Sequence, residues 1–196
     1  MKAIYHIEVP KGHFRTYLEK PKNTLYLKQI HSSLVHPLQL VKPDLEGDGI
    51  YWNWNEVQNQ TQIATYTADC LPILVIGKSG GALLHGGWRG IQQNIIGNEN
   101  IQKIVPFFFF IGPSIQWGSF AVTEEFYQHF PRSPHFKQVG KLHYFNLQAQ
   151  LQEQISTLYP LAQIQDCGIC TFKTLPYNSY RRQKKHYRNW NVFSLN

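Results

Sequence analysis

The amino-acid sequence predicts an α+β fold built on mixed sheet, with residues 1–196 as one domain, and three observations carry that expectation. Short apolar runs bounded by Gly, Pro and Asp recur along the chain, as strands do. One stretch, Leu147–Leu158, repeats apolar residues at 147, 151, 155 and 158 and is stopped by Pro160, the pattern of an amphipathic helix. Strands and helices interleave without a regular βαβ rhythm. A hydrophobic content of 42% beside 16% charged residues excludes a disordered chain, and 196 residues suffice for a sizeable core.

Taken in order, residues 24–31 alternate, with Leu25, Leu27, Gln29 and His31 on one face of an expected strand. His31 then ends that strand in a partly buried position. Residues 37–55 carry Pro43, Gly47 and Gly49 and read as loops and short strands, and residues 62–66 as another strand. Leu71–Gly77 and residues 81–85, the latter ending in His85, are short apolar runs split by Gly77-Lys-Ser-Gly-Gly81, which predicts neighbouring buried strands joined by a tight turn. Ile91, Ile95, Ile101 and Ile104 sit at roughly helical spacing, weakened by Gly97. Four consecutive phenylalanines from Phe107, with Ile111, predict a strand covered on both faces. Val122, Phe126 and Phe130 repeat every four residues and predict a helix over 119–130. The tail beyond Ile164 mixes short β-like runs with a basic cluster, Tyr180-Arg-Arg-Gln-Lys-Lys-His-Tyr-Arg188.

The formal net charge of +7 suits an anionic small substrate, a nucleic acid or a merely basic surface, and does not choose among them. No recognisable nucleic-acid module surrounds the basic cluster, so a solvated face is the expectation there. The first residues lack a secretory apolar core and no apolar run approaches the ~18 residues of a membrane helix. Three cysteines make no disulfide framework, and a reducing cytoplasm is the expected compartment.

If the two apolar strands pair antiparallel, Cys70 before the first and His85 at the end of the second meet at one sheet edge. With His31 they form a borderline-soft set of two imidazole nitrogens and one thiolate, three ligands with a fourth position open, as in catalytic zinc sites. Spacing alone leaves open a buried cysteine with two structural histidines. Arg89 follows Gly86-Gly87 where a helix is expected to begin, suited to phosphate or to a surface ion pair. Asp69 is placed to orient a ligand histidine, to accept a proton, or to cap a turn. Trp52, Trp54 and Trp88 suit a purine face or, more commonly, a core. Cys167-Gly-Ile-Cys170 lacks the second pair that a structural zinc site needs and reads as two reduced cysteines.

Thr67-Ala-Asp-Cys-Leu-Pro72 and His85-Gly-Gly-Trp-Arg-Gly90 closely resemble the two signature motifs of the multicopper polyphenol oxidoreductase, or laccase-domain, family. Lys28-Gln-Ile-His31, Glu46-Gly-Asp48-Gly, Ile111-Gly-Pro-Ser-Ile115 with Ser119-Phe-Ala-Val122, Cys170-Thr171 and Ser179-Tyr-Arg-Arg182 resemble its other segments, so the likeness runs from about Leu25 onward. The resemblance implies zinc-dependent purine nucleoside phosphorylase activity on adenosine, inosine or methylthioadenosine, with adenosine deamination beside it. It implies two mixed sheets packed face to face with helices outside, and metal ligands at His31, Cys70 and His85. Asp69, Cys70 and Arg89 become the candidate catalytic residues, and Arg89, Arg181 and Arg182 the candidates for phosphate. The expected partners are a purine nucleoside and phosphate, without specific nucleic acid or membrane, in a monomer or small homo-oligomer. Copper-dependent phenol oxidation, a metal-free Cys–His hydrolase and a binding protein without turnover are the alternatives. The chain departs from the family in its short N-terminal portion, in Ser32 after His31 and in Gly86 after His85.

Overall fold

The computed structural model describes residues 1–58 and 61–195. Along the chain come strands β1 (Tyr5–Val9), β2 (Gly12–Tyr17), β3 (Thr24–Leu25), β4 (Val35–Pro37), β5 (Gly49–Asn53), β6 (Gln62–Thr67), β7 (Leu71–Gly77) and β8 (Gly80–Gly86). Helices α1 (Trp88–Gln92) and α2 (Glu99–Lys103) lead to β9 (Pro106–Ile111), β10 (Ala121–Val122), β11 (Phe136–Val139) and β12 (Leu142–Phe145). Helix α3 (Leu147–Leu158), β13 (Gln163–Asp166), α4 (Tyr180–Gln183) and β14 (Asn189–Leu195) follow.

Two mixed sheets form the body, in the orders β1-β2-β14-β6-β3 and β13-β9-β7-β8-β5-β4. The pairs β3–β6, β4–β5 and β13–β9 are parallel, and the remaining pairs are antiparallel. Period-two alternation explains why β7 is wholly apolar. Leu74 and Ile76 face the other sheet's Phe14, Ile63 and Phe193, while Ile73 and Val75 belong to the layer of Ile91, Ile101, Leu151 and Ile155 from the helical side. β9 is sandwiched likewise, with Phe108 and Phe110 in one layer and Phe109 and Ile111 in the other. A smaller sheet, β10-β12-β11, lies beside them.

The helix expected over 119–130 is not formed. Ala121 and Val122 pair with Tyr144 and His143 of β12, and a 3₁₀ turn covers Glu124–His129. The four-residue repeat has another cause: Phe126 and Phe130 both pack on Phe145, with ring centroids 5.4 and 4.6 Å away. The isoleucine stretch is also not one helix. Asn94 takes a left-handed conformation after α1, and the Asn98 side chain accepts from the Asn100 N–H to start α2, yet all four isoleucines are buried. Only Thr24–Leu25 of the strand expected over 24–31 is regular. Leu25 is exposed while Leu27 is buried, and His31, at φ 62°, turns the chain instead of ending a strand and is exposed, not partly buried. The β1–β2 hairpin has no counterpart among the sequence expectations.

Candidate metal centre

The β7–β8 register sets Leu71 opposite Gly86 and Pro72 opposite His85, which brings Cys70 and His85 to one sheet edge as expected. His31 arrives from the loop after β3, and its Nε2 lies 3.9 Å from Cys70 Sγ. The ligating atoms of His31, Cys70 and His85 all lie within 4.8 Å of one another. A tetrahedral zinc with bonds of about 2.0–2.3 Å sets its ligand atoms roughly 3.3–3.6 Å apart, so the His31–Cys70 pair needs a few tenths of an ångström of closure and no pair needs more than about 1.5 Å, within reach of side-chain rotation. Gly87 makes room for the group. A Cβ there would stand 2.9 Å from the His31 ring, 3.6 Å from Cys70 Sγ and 3.7 Å from the His85 ring.

Asp48, almost fully buried, positions two of the three ligands. Its Oδ1 accepts from His85 Nδ1 at 2.7 Å, leaving His85 Nε2 for a metal. The same carboxylate accepts from the backbone N–H groups of Ile30, His31 and Ser32 at 3.3, 3.0 and 2.6 Å, and from the Ser32 hydroxyl at 2.7 Å. These bonds hold the left-handed turn at His31. Burial pushes the Asp48 carboxyl up, but the bonds from His85 and Ser32 outweigh it and bring it below its ordinary value. Burial likewise pushes the Cys70 thiol up, and the His85 and His31 rings reverse this to about 6. Burial pushes His85 down, and the Cys70 thiolate with Asp48 raises it to about 9. A thiolate is therefore ready at neutral pH, the form a metal ligand must take.

The three residues open onto a cavity of about 330 Å³, whose wall includes Gln29, Tyr66, Asp69, Phe120, Arg181 and Arg188. Asp69 does not orient a ligand histidine; that work falls to Asp48. Its Oδ1 accepts from the Thr171 hydroxyl and its Oδ2 from the Arg181 backbone N–H, both at 2.8 Å. Asp69 thus ties the α4 segment to the edge of β7. The arginines divide sharply. Arg89 is exposed, with its guanidinium carbon 4.2 Å from the Trp88 ring centroid, and does not line the cavity. Arg182 donates to the backbone carbonyls of Thr171, Phe172 and Tyr177, which commits it to holding the loop before α4 instead of a phosphate. Arg181 does line the cavity. Asp48 and Arg188 went unassigned from the sequence, although Glu46-Gly-Asp48-Gly and the end of the basic cluster marked both places.

Trp52 is fully buried between the sheets, stacked on Phe193 at 5.2 Å. Cys167 and Cys170 are free, and burial pushes the Cys167 thiol up to about 12. No helix among the described residues is long and apolar enough to cross a membrane.

Comparison with known proteins adds a family and a fold. The family model described as multi-copper polyphenol oxidoreductase laccase matches residues 10–196. A purine nucleoside phosphorylase of Aquifex aeolicus is 30% identical over 199 residues, covering 93% of this chain and 89% of that protein. One of Campylobacter jejuni is 28% identical over 170 residues, covering 82% and 72%. Among solved structures, a Neisseria meningitidis protein has a TM-score of 0.75 at 22% identity, over 88% of this chain and 75% of that one. YlmD of Geobacillus stearothermophilus has 0.74 at 19%, over 89% and 74%. These two share the fold.

Proposed function

Because the chain belongs to the multi-copper polyphenol oxidoreductase laccase family, we propose that it is a zinc-dependent purine nucleoside phosphorylase acting on adenosine, inosine or methylthioadenosine. The observation that carries this is the convergence of His31, Cys70 and His85 on one point in the lining of a nucleoside-sized cavity. Relatives named for the activity at 28–30% identity support it.

In phosphorolysis an oxygen of phosphate bonds to C1′ of the ribose as the C1′–N9 bond breaks. The purine leaves with the electron pair and takes up a proton. Zinc, when bound, would supply a Lewis acid and an acidified water, which suits deamination of adenosine at C6 as a second activity of the same site. Asp48 fixes the His85 tautomer and the His31 turn. Phe120 and Tyr66 give the cavity aromatic faces on which a purine stacks. The Cys70 thiolate beside protonated His85 favours one second reading, covalent Cys–His hydrolysis without metal.

The test is metal analysis of protein purified without added metal, wild type beside Cys70→Ala, with phosphate-dependent base release assayed on the same samples. About one zinc per chain, lost in the variant together with base release, supports the proposal. A metal-free wild type that still turns over overturns it in favour of the thiol mechanism. Bound copper with phenol oxidation would restore the oxidase.

A further inference from the structure

A phosphorylase needs a place for phosphate, and two of the arginines expected to supply it point elsewhere, Arg89 onto Trp88 and Arg182 onto carbonyls. We propose that Arg181 and Arg188 form a clamp for a tetrahedral oxyanion in the wall of the His31–Cys70–His85 cavity, and that inorganic phosphate is its occupant. The inference rests on the phosphorylase reading for the identity of the anion, and on the geometry for the clamp.

Both residues line the same cavity, whose 330 Å³ corresponds to a sphere roughly 9 Å across, and Arg181 also borders the neighbouring hollow lined by Trp88 and Phe126. A phosphate bonded at about 2.8 Å to a guanidinium on each side spans roughly 8 Å, which matches the width of this cavity. Neither cation is neutralised: among the described residues, no ion pair involves an arginine. Asp69 is the acidic group nearest at hand in the cavity wall, and it spends its oxygens on Thr171 and on the backbone of Arg181, not on either guanidinium.

Both arginines are also held in place. The loop that carries them is pinched at its base by a reciprocal pair of amide bonds. Asn178 N–H donates to Asn189 Oδ1, and Asn189 Nδ2 donates to the Asn178 carbonyl, both at 2.8 Å. Asn178 Nδ2 further donates to the Arg188 carbonyl at 3.0 Å. Arg188 Nη1 is steadied by the Tyr187 carbonyl at 2.9 Å, which leaves its Nε and Nη2 hydrogens for a ligand. The Arg181 guanidinium lies 5.2 Å from the Phe120 ring centroid. Two oriented, uncompensated forks in one small cavity suit a doubly charged oxyanion better than a carboxylate, which one fork saturates.

The test is calorimetric titration of the whole 196-residue chain, as purified with its metal, with inorganic phosphate and separately with adenosine 5′-monophosphate. Wild type is compared with Arg188→Ala, Arg188→Lys, Arg181→Ala and Arg89→Ala, after thermal melts confirm folding. Each alanine change at 181 or 188 is expected to weaken phosphate at least tenfold, Arg188→Lys to retain only part of the wild-type affinity, and Arg89→Ala to change nothing. In turnover, Arg188→Ala raises the KM for phosphate and leaves the KM for nucleoside unchanged. Phosphate binding unaltered in Arg188→Ala and Arg188→Lys overturns the clamp, as does an equal loss in Arg89→Ala. Loss confined to the monophosphate assigns the arginines to a substrate ester and overturns the choice of inorganic phosphate. Calorimetry needs no turnover, so a protein that binds phosphate here but releases no base refutes the phosphorylase and not the clamp.

Discussion

Replacing Asp48 by Asn keeps the shape of the side chain and removes half of what it does. The carboxylate takes five hydrogen bonds, three from backbone N–H groups of residues 30–32, one from the Ser32 hydroxyl and one from His85. An amide turned one way sets its NH₂ against the N–H groups of Ile30 and Ser32. Turned the other way, it faces the N–H of His31 and Nδ1 of His85. Either choice strands two donors at a nearly inaccessible site, and each buried unsatisfied donor costs about 1–3 kcal/mol. The expected loss is about 4 kcal/mol, or a fall in Tm of roughly 8–16 °C for a chain of this length. His85 escapes the second clash only by moving its proton to Nε2, the atom a metal needs, so metal affinity is expected to fall by about 10–100-fold. Differential scanning calorimetry reads the first effect and chelator competition the second. The wild-type contribution is present above the ordinary carboxylate pKa and disappears as pH falls through the lowered value of Asp48, so the gap between the two proteins closes in acid. An Asp48→Asn protein with wild-type Tm and wild-type metal affinity would refute the role given to this carboxylate.

Two further changes test other parts of the molecule. Gly87→Ala drives a methyl group into the His31 ring at 2.9 Å at a position whose φ of −70° strains no residue; metal affinity is expected to drop at least tenfold while the metal-free protein melts within about 2 °C of wild type, and an unchanged affinity would show that the ring gives way freely. Tyr5, Tyr177 and Cys167, each pushed up to about 12 first of all by burial, stay neutral in the folded chain above the pH at which they ionise when unfolded. Their contribution is therefore complete below about pH 9 and lost as pH rises toward 12; urea midpoints measured from pH 8 to 11.5 should fall, and Tyr5→Phe should make the fall shallower.

The parts of the molecule legible in the sequence are those where one local pattern has one cause. β7 and β8 read as neighbours because two short apolar runs around a glycine turn have little else to be, and their pairing delivers Cys70 and His85 together. α3 reads as a helix because its stripe serves one face. Residues 119–130 misled because the same spacing arises from phenylalanines converging on Phe145, a contact made across the chain. The role of Asp48 stayed hidden because it exists only once residues 30–32 fold around it from a distance in sequence. The β1–β2 hairpin alternates plainly, with Ile7 and Val9 on one strand and Phe14 and Thr16 on the other, but its polar outward residues, His6, Glu8, His13 and Arg15, masked the apolar half of the pattern.

Strand β14 lies between β2 and β6, in the middle of its sheet, although it follows every other element in the chain. During synthesis, β1, β2 and β6 therefore emerge with a gap that no local segment fills, while β5, β7, β8 and β9 can already pair among themselves. The sheet edge that gathers Cys70 and His85 is thus ready early, and the layer that seals its other face closes last, by insertion of a strand between two waiting partners. Arg188 enters with that strand, so a nascent chain holds its metal ligands before it holds its second cavity arginine. A ribosome-bound intermediate stopped short of residue 188 should accordingly bind metal and expose the apolar face of Phe14, Ile63 and Phe110 that Phe193 later covers.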